Sequence, residues 1–220
     1  MCFGPVASFS ASAVLASFGV LILRNVRSPK ELLFAAFPAL FALQQLVEGA
    51  LWLVLANDAK PEAAVRVLSF GFLLFAYGLW PVLCPASVYA IEYDESRKKV
   101  LRFMILAGLT TSLYLLYFIF SMPVSAAAVH CSIRYQTFVT GAPWFAGIYV
   151  LATIFPHFIS SHRSILIFGL PNLIFCAIAY YLYNWTFVST WCFFAAIVSL
   201  TLYFFLRRLH HQPLLSLSQA

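Results

Sequence analysis

The sequence predicts an all-α, polytopic membrane helix bundle of about seven transmembrane helices, with the N-terminus outside and the C-terminus inside. Three observations carry that expectation. Hydrophobic residues make up 63% of the 220 residues and charged residues only 9%, which is more apolar surface than one soluble core can hide. Apolar runs of spanning length recur along the whole chain. Ten of the 13 Lys and Arg then fall on one side of the topology those runs define.

The expected spans are 6–23, 32–55, 67–91, 102–122, 143–160, 164–183 and 186–206. In the first, Ser8, Ser12 and Ala16 recur every four residues, a small-residue stripe that lets another helix come close. The second carries a polar stripe taken up below. In the third, Trp80-Pro81 and Cys84-Pro85 remove backbone donors and bend the helix. The fourth is a plain apolar span behind a basic start. The fifth ends in Phe-Pro-His-Phe, where His157 reads as a proton relay or as a side chain snorkelling to the headgroups. The sixth and seventh form one charge-free run from Ser164 to Leu206, twice a single span, with Tyr183-Asn184-Trp185 as the turn. Asn172, after Pro171, is expected to satisfy a carbonyl freed by that proline.

Arg24, Arg27, Lys30, Arg97, Lys98, Lys99, Arg102, Arg163, Arg207 and Arg208 follow odd-numbered spans or lie in the tail, whereas Lys60, Arg66 and Arg134 lie on the other face. That asymmetry puts the N-terminus and the loops near 57–66, 123–142 and 184 outside. The net charge of +6 thus reports topology, and no nucleic-acid partner is expected. Met1-Cys2-Phe3-Gly4-Pro5 lacks the basic start of a cleaved signal, so the first span is expected to stay. Residues 1–206 read as one transmembrane domain and 207–220 as a cytoplasmic tail. A shift of 133 residues lays Pro38-Ala-Leu-Phe on Pro171-Asn-Leu-Ile and Trp52 on Trp185, which suggests repeat units 1–92 and 141–206 joined by the helix 102–122.

At about 100° per residue, Gln44, Gln45, Glu48 and Trp52 share one helix face within the outer half of span two. A carboxyl there costs on the order of 3 kcal/mol or more unless it turns inward and finds a partner. It therefore reads as a site for a small solute or ion, with Trp191 as a further wall, or else as a neutral structural group. Arg134, His130 and a free Cys2 amine are the candidate partners outside. Cys2, His130 and Cys131, with Glu48, form a ligand set suited to zinc or copper, and the same two cysteines suit a disulfide. No Gly-rich phosphate loop, Gly-x-Ser-x-Gly elbow or His-Glu-x-x-His helix occurs, and span seven has no lysine for a retinal Schiff base.

The opening Met-Cys-Phe, the Arg-Ser-Pro after span one, Gln-Gln-Leu-Val-Glu-Gly-x-x-Trp, Leu-Trp-Pro and Trp191-Cys192-Phe193-Phe194 together resemble an uncharacterised bacterial family of short multispanning proteins. That resemblance implies a fold-level identity and no reaction, and the chain is expected in a bacterial inner membrane. In architecture the chain is also distantly similar to sugar carriers of the SWEET type and their proline-glutamine-loop relatives, although Pro38 and Pro171 are followed by Ala39 and Asn172 in place of glutamine. The expected function is binding of a small solute or ion for transport or sensing. A metal-dependent or redox-active membrane enzyme, a structural subunit of a membrane complex, and a homo-oligomer stand as alternatives beside it.

Overall fold

The computed structural model describes residues 4–129, 131–137 and 143–211. Six helices among them are long and apolar enough to cross a membrane: Pro5–Arg24, Pro29–Ala56, Glu62–Ile91, Glu95–Ser121, Arg163–Leu182 and Asn184–Leu206. Their exposed faces carry Leu43, Phe103, Leu113, Phe120 and Leu170, the outward apolar surface that lipid contact requires. The chain is thus a multi-pass membrane protein, and six of the expected spans are matched to within a few residues, apart from somewhat earlier starts of the helices at Glu62 and Glu95.

Helix α1 (Pro5–Arg24) opens with proline in its first turn, where the missing N–H has no helical partner to lose. A 3-10 turn, Pro29–Glu31, leads through α2 (Leu32–Ala35) into α3 (Phe37–Ala56). The third span comprises α4 (Glu62–Leu73), a π-helical stretch Leu74–Leu79 and α5 (Trp80–Ile91). Asp94 caps α6 (Glu95–Ser121) by accepting the Arg97 N–H at 2.8 Å. Beyond it come β1 (Ser125–Val129), β2 (Ser132–Gln136), α7 (Pro143–Thr153), α8 (Pro156–Ile159), α9 (Leu166–Leu182), α10 (Phe187–Ser199) and α11 (Leu202–His211).

The two prolines of the third span explain its wide turn. Trp80 N–H bonds to the Phe75 carbonyl, five residues back. The next bond in that series would join Pro81 to the Ala76 carbonyl, but proline has no N–H, and the Tyr149 hydroxyl donates to Ala76 O instead. Ser112 Oγ donates to Gly78 O at 2.9 Å. Pro85 likewise leaves the Pro81 carbonyl without its helical donor. That oxygen abuts Gly108 of α6, where a Cβ would stand 1.9 Å from it. Glycine is what lets α5 and α6 meet there.

Helix α1 lies along α3, with Gly19 against the Ala39 backbone and Ser12 Oγ donating to Ala42 O at 2.8 Å. Ser8 and Ser12 of the small-residue stripe are buried within the chain, so that part of the stripe serves α3 and not a partner protein, while Ala16 is exposed. One apolar cluster gathers Leu15, Phe34, Phe37, Phe41, Trp80 and Phe168, and a second gathers Leu51, Trp52, Phe72, Tyr77, Ile133 and Tyr135.

Three expectations change. The chain is not purely helical: the expected outer loop holds an antiparallel hairpin pairing Ser125 with Gln136 and Val129 with Ser132. Its Ile133 and Tyr135, two residues apart and so on one face, pack onto the bundle. The fifth expected span is broken in two, α7 and α8, at Pro156, which cannot donate back into α7. Helix also continues to His211, past the start of the expected tail at 207.

Candidate functional site

The polar stripe of α3 turns inward. Gln44 and Gln45 are 0% exposed and Glu48 is 2% exposed, with Trp52 buried one turn further on. Three separate elements converge on the Glu48 carboxyl. Ser189 of α10 donates to Oε1 at 2.6 Å, Tyr135 of β2 reaches the same oxygen at 3.5 Å, and Gln45 Nε2 donates to Oε2 at 3.2 Å. The hairpin supplies one donor, and its ring stacks on Phe72 at 4.7 Å. The only salt bridges among the described residues join Glu95 to Lys98 and Arg102, so the carboxyl has neutral donors and no described cation.

Gln44 looks the other way. Its Oε1 accepts the Trp80 indole N–H at 2.9 Å, and because indole only donates, that contact fixes which amide atom faces it. The wide turn advances all that follows by about 100° relative to an unbroken helix, and in that register Trp80 faces α3. Trp80 also stacks on Phe41 at 4.0 Å. Gln44 Nε2 and Gln45 Oε1 have no hydrogen-bond partner among the described residues.

Below this centre lies a cavity of about 30 Å³, room for one or two water molecules. Its walls include Phe37, Trp80, Tyr149, Phe168, Trp191 and Cys192, with Asn172 and Thr153 as polar members. Asn172 Oδ1 accepts the Trp191 indole N–H at 3.0 Å, so this amide holds an indole and not the carbonyl that Pro171 frees. Of the expected binding residues, Gln44, Gln45 and Glu48 come together, Trp52 packs in the second apolar cluster, which also holds Cys192, and Trp191 belongs to the cavity.

Arg134 sits over the exposed Trp185 ring at 4.7 Å and does not pair with Glu48. Cys131 is disulfide-bonded, a state in which its sulfur is no thiolate ligand, while Cys84, Cys176 and Cys192 are free thiols. Cys2 and His130, the other members of the expected metal set, lie outside the described residues. Among the described residues no three His, Cys, Asp or Glu side chains gather to hold a metal ion.

His157 does not snorkel. It is 0% exposed among Phe34 and Phe168, its Nδ1 lies 3.0 Å from the Ile154 carbonyl, and its Nε2 has no partner among the described residues. Just past Ile91, outside the spans, Glu92 accepts the N–H groups of Tyr93, Asp94 and Ser161 at 2.9, 3.0 and 2.7 Å. Burial raises the Glu92 carboxyl pKa, and the bonds from Ser161, Asp94 and Tyr93 outweigh it and hold the group below the usual carboxylate range.

Sequence reasoning missed Ser189, Tyr135 and Trp80 as members of this centre. Ser189-Thr190 ahead of Trp191-Cys192 was the available signal, a polar pair inside an otherwise apolar span.

Fold and site together define a multi-span membrane helix bundle with a carboxyl-centred polar core. The chain belongs to the family of unknown function DUF6629, whose family model matches residues 1–215. Comparison with curated proteins and with solved structures gives no match.

Proposed function

We propose that this protein binds a small solute or ion at Glu48 for transport or sensing across a bacterial inner membrane. The chain crosses seven times in this reading, α7 and α8 together making the fifth crossing, with the N-terminus outside and the units 1–92 and 141–206 joined by the fourth span. The observation that carries it is a carboxyl 2% exposed, met by donors from α3, α10 and the hairpin. A desolvated carboxylate costs several kcal/mol, and a hydrogen bond to a charged group returns about 1.5–3 kcal/mol. With three donors the two sides nearly balance, which is the condition for a group that takes up and releases a positive charge.

The enzyme alternative, resting on Cys2, His130, Cys131 and Glu48 with zinc or copper, has the weaker support, since Cys131 lies in a disulfide and Glu48 is engaged by Ser189 and Gln45. The proposed function is tested by thermal unfolding of the detergent-purified chain across a panel of monovalent cations, small primary amines and pH values. At least one of these should raise the unfolding temperature of the wild type and leave Glu48→Gln unmoved. Identical responses of both proteins to every condition would remove Glu48 as the binding group.

A further inference from the structure

We propose that the charge this protein moves is a proton, carried from Glu48 through the aromatic cavity to His157 without any other solute. The inference rests on the reading of Glu48 as the binding group and adds the substrate and the route. Among the described residues, Glu48 and His157 bring a carboxyl and an imidazole, both buried, into the spanning bundle. Neither side chain lines the cavity, but neighbours of both do. Gln44, one turn from Glu48, holds Trp80 of the cavity wall, and Thr153 of the same wall is one turn from His157. Phe168, also in the wall, lies 4.8 Å from the imidazole.

Unpartnered polar atoms occur at both ends, though not in the cavity wall. Gln45 Oε1, Gln44 Nε2 and His157 Nε2 are buried and have no hydrogen-bond partner among the described residues. Each such atom costs roughly 1–3 kcal/mol unless water or a mobile proton carrier meets it. The cavity, of about 30 Å³, has room for one or two water molecules within mostly aromatic walls. A metal cation of the hard class needs six or more oxygens, and the described oxygens at Glu48 are already engaged in bonds to its carboxyl, apart from Gln45 Oε1.

The proton count closes on neutral groups. The Ile154 carbonyl only accepts, so in the neutral imidazole Nδ1 carries the hydrogen and Nε2 holds its lone pair. A proton taken up by the Glu48 carboxylate passes to water in the cavity, and His157 receives it at Nε2 to become imidazolium. Release toward Ile159 and Ser161 at the inner end restores the neutral ring. The acids and bases nearest that exit are Glu92, Arg97 and His162, which bond to Ser161 N, Ile159 O and Ile91 O.

The full chain is reconstituted in liposomes holding a pH-sensitive dye, and a potassium gradient with valinomycin drives proton entry. Wild-type liposomes should acidify faster than empty ones. Glu48→Gln and His157→Gln should each slow the rate at least about a hundredfold, the least expected when a positioned proton carrier is lost. Ala195→Val, which fills the cavity wall and leaves both titratable groups in place, should slow it as well. Wild-type rates in both His157→Gln and Ala195→Val would overturn the route, even where Glu48→Gln still abolishes the ion or pH response in thermal unfolding. Should His157→Gln fail to fold, Ala195→Val decides alone. Proton entry no faster than in empty liposomes, or a current that follows sodium and not pH, overturns the proton assignment while leaving Glu48 as a binding group. A Glu48→Gln protein indistinguishable from wild type in both flux and unfolding removes the route and the proposed function together.

Discussion

Gly108→Ala is the most direct probe of how the polar core is held in place. A Cβ at position 108 would stand 1.9 Å from the Pro81 carbonyl oxygen and 2.7 Å from its carbon. Ordinary C···O contact begins near 3.3 Å, so α5 and α6 must part by more than about 1 Å. No rotamer change relieves the clash, because both partners are main chain. The cost then lies at the top of the overpacking range, about 3 kcal/mol. Alanine returns about 1 kcal/mol of helix preference, leaving a net loss of about 2 kcal/mol. Gly147→Ala is the matched control, since nothing lies within 4 Å of a Cβ there, and it should gain up to about 1 kcal/mol. Unfolding midpoints of both variants in one detergent give the comparison. Equal stability of Gly108→Ala and Gly147→Ala would refute the claim that the freed Pro81 carbonyl fixes the spacing of α5 and α6.

Ser189→Ala should destabilise more than Tyr135→Phe, about 1.5–3 kcal/mol against less than about 1, because the serine bond to Glu48 is 2.6 Å and the tyrosine contact 3.5 Å. Unfolding midpoints of the two variants check the order. In a double-mutant cycle, Asn172→Ala and Trp191→Phe should couple by about 0.6 kcal/mol, the usual size of a side-chain bond inside a membrane, and additive effects would show that their 3.0 Å bond is idle. Just past the third span, Glu92 sets an acid limit. Its folded pKa lies below its unfolded value, so its contribution is present above the unfolded pKa and fades as pH falls through the folded one. Glu92→Gln should lower the neutral side of the stability curve and flatten its acid side, as unfolding at stepped pH would show.

What the sequence makes legible here follows from what is local. The six long spans depend on composition alone, so their ends fall close to the hydropathy boundaries. The stripe of Gln44, Gln45 and Glu48 depends on one helical period and is buried as that period requires. The hairpin depends on neither: Ser125-Ala-Ala-Ala-Val129 has no alternation of polar and apolar residues, and its strand state comes from pairing with Ile133 and Tyr135 across the turn. The partners of Glu48 were hidden for a related reason. Serine and tyrosine are ordinary in membrane spans and loops, and only tertiary contact singles out Ser189 and Tyr135. Arg134 had the charge to pair with Glu48, but the strand leaves it intermediate in exposure beside Trp185, where a ring face serves the cation without desolvating it.

The bends and the chemistry have one origin. Pro81 and Pro85 free carbonyls that a bilayer cannot solvate, so neighbouring helices must supply donors or close backbone contact. Tyr149 and Gly108 do so, and together with the Ser112 bond to Gly78 O they fix α5 against α6 and α7. The wide turn that precedes Pro81 sets Trp80 facing Gln44, and the amide of Gln44 then spans from the Glu48 stripe to the cavity wall. Removing the prolines would straighten the span and relieve those carbonyls, yet it would also turn Trp80 off Gln44 and leave a second amide unpaired in the apolar interior. At this kink a helix defect and the buried polar stripe satisfy each other.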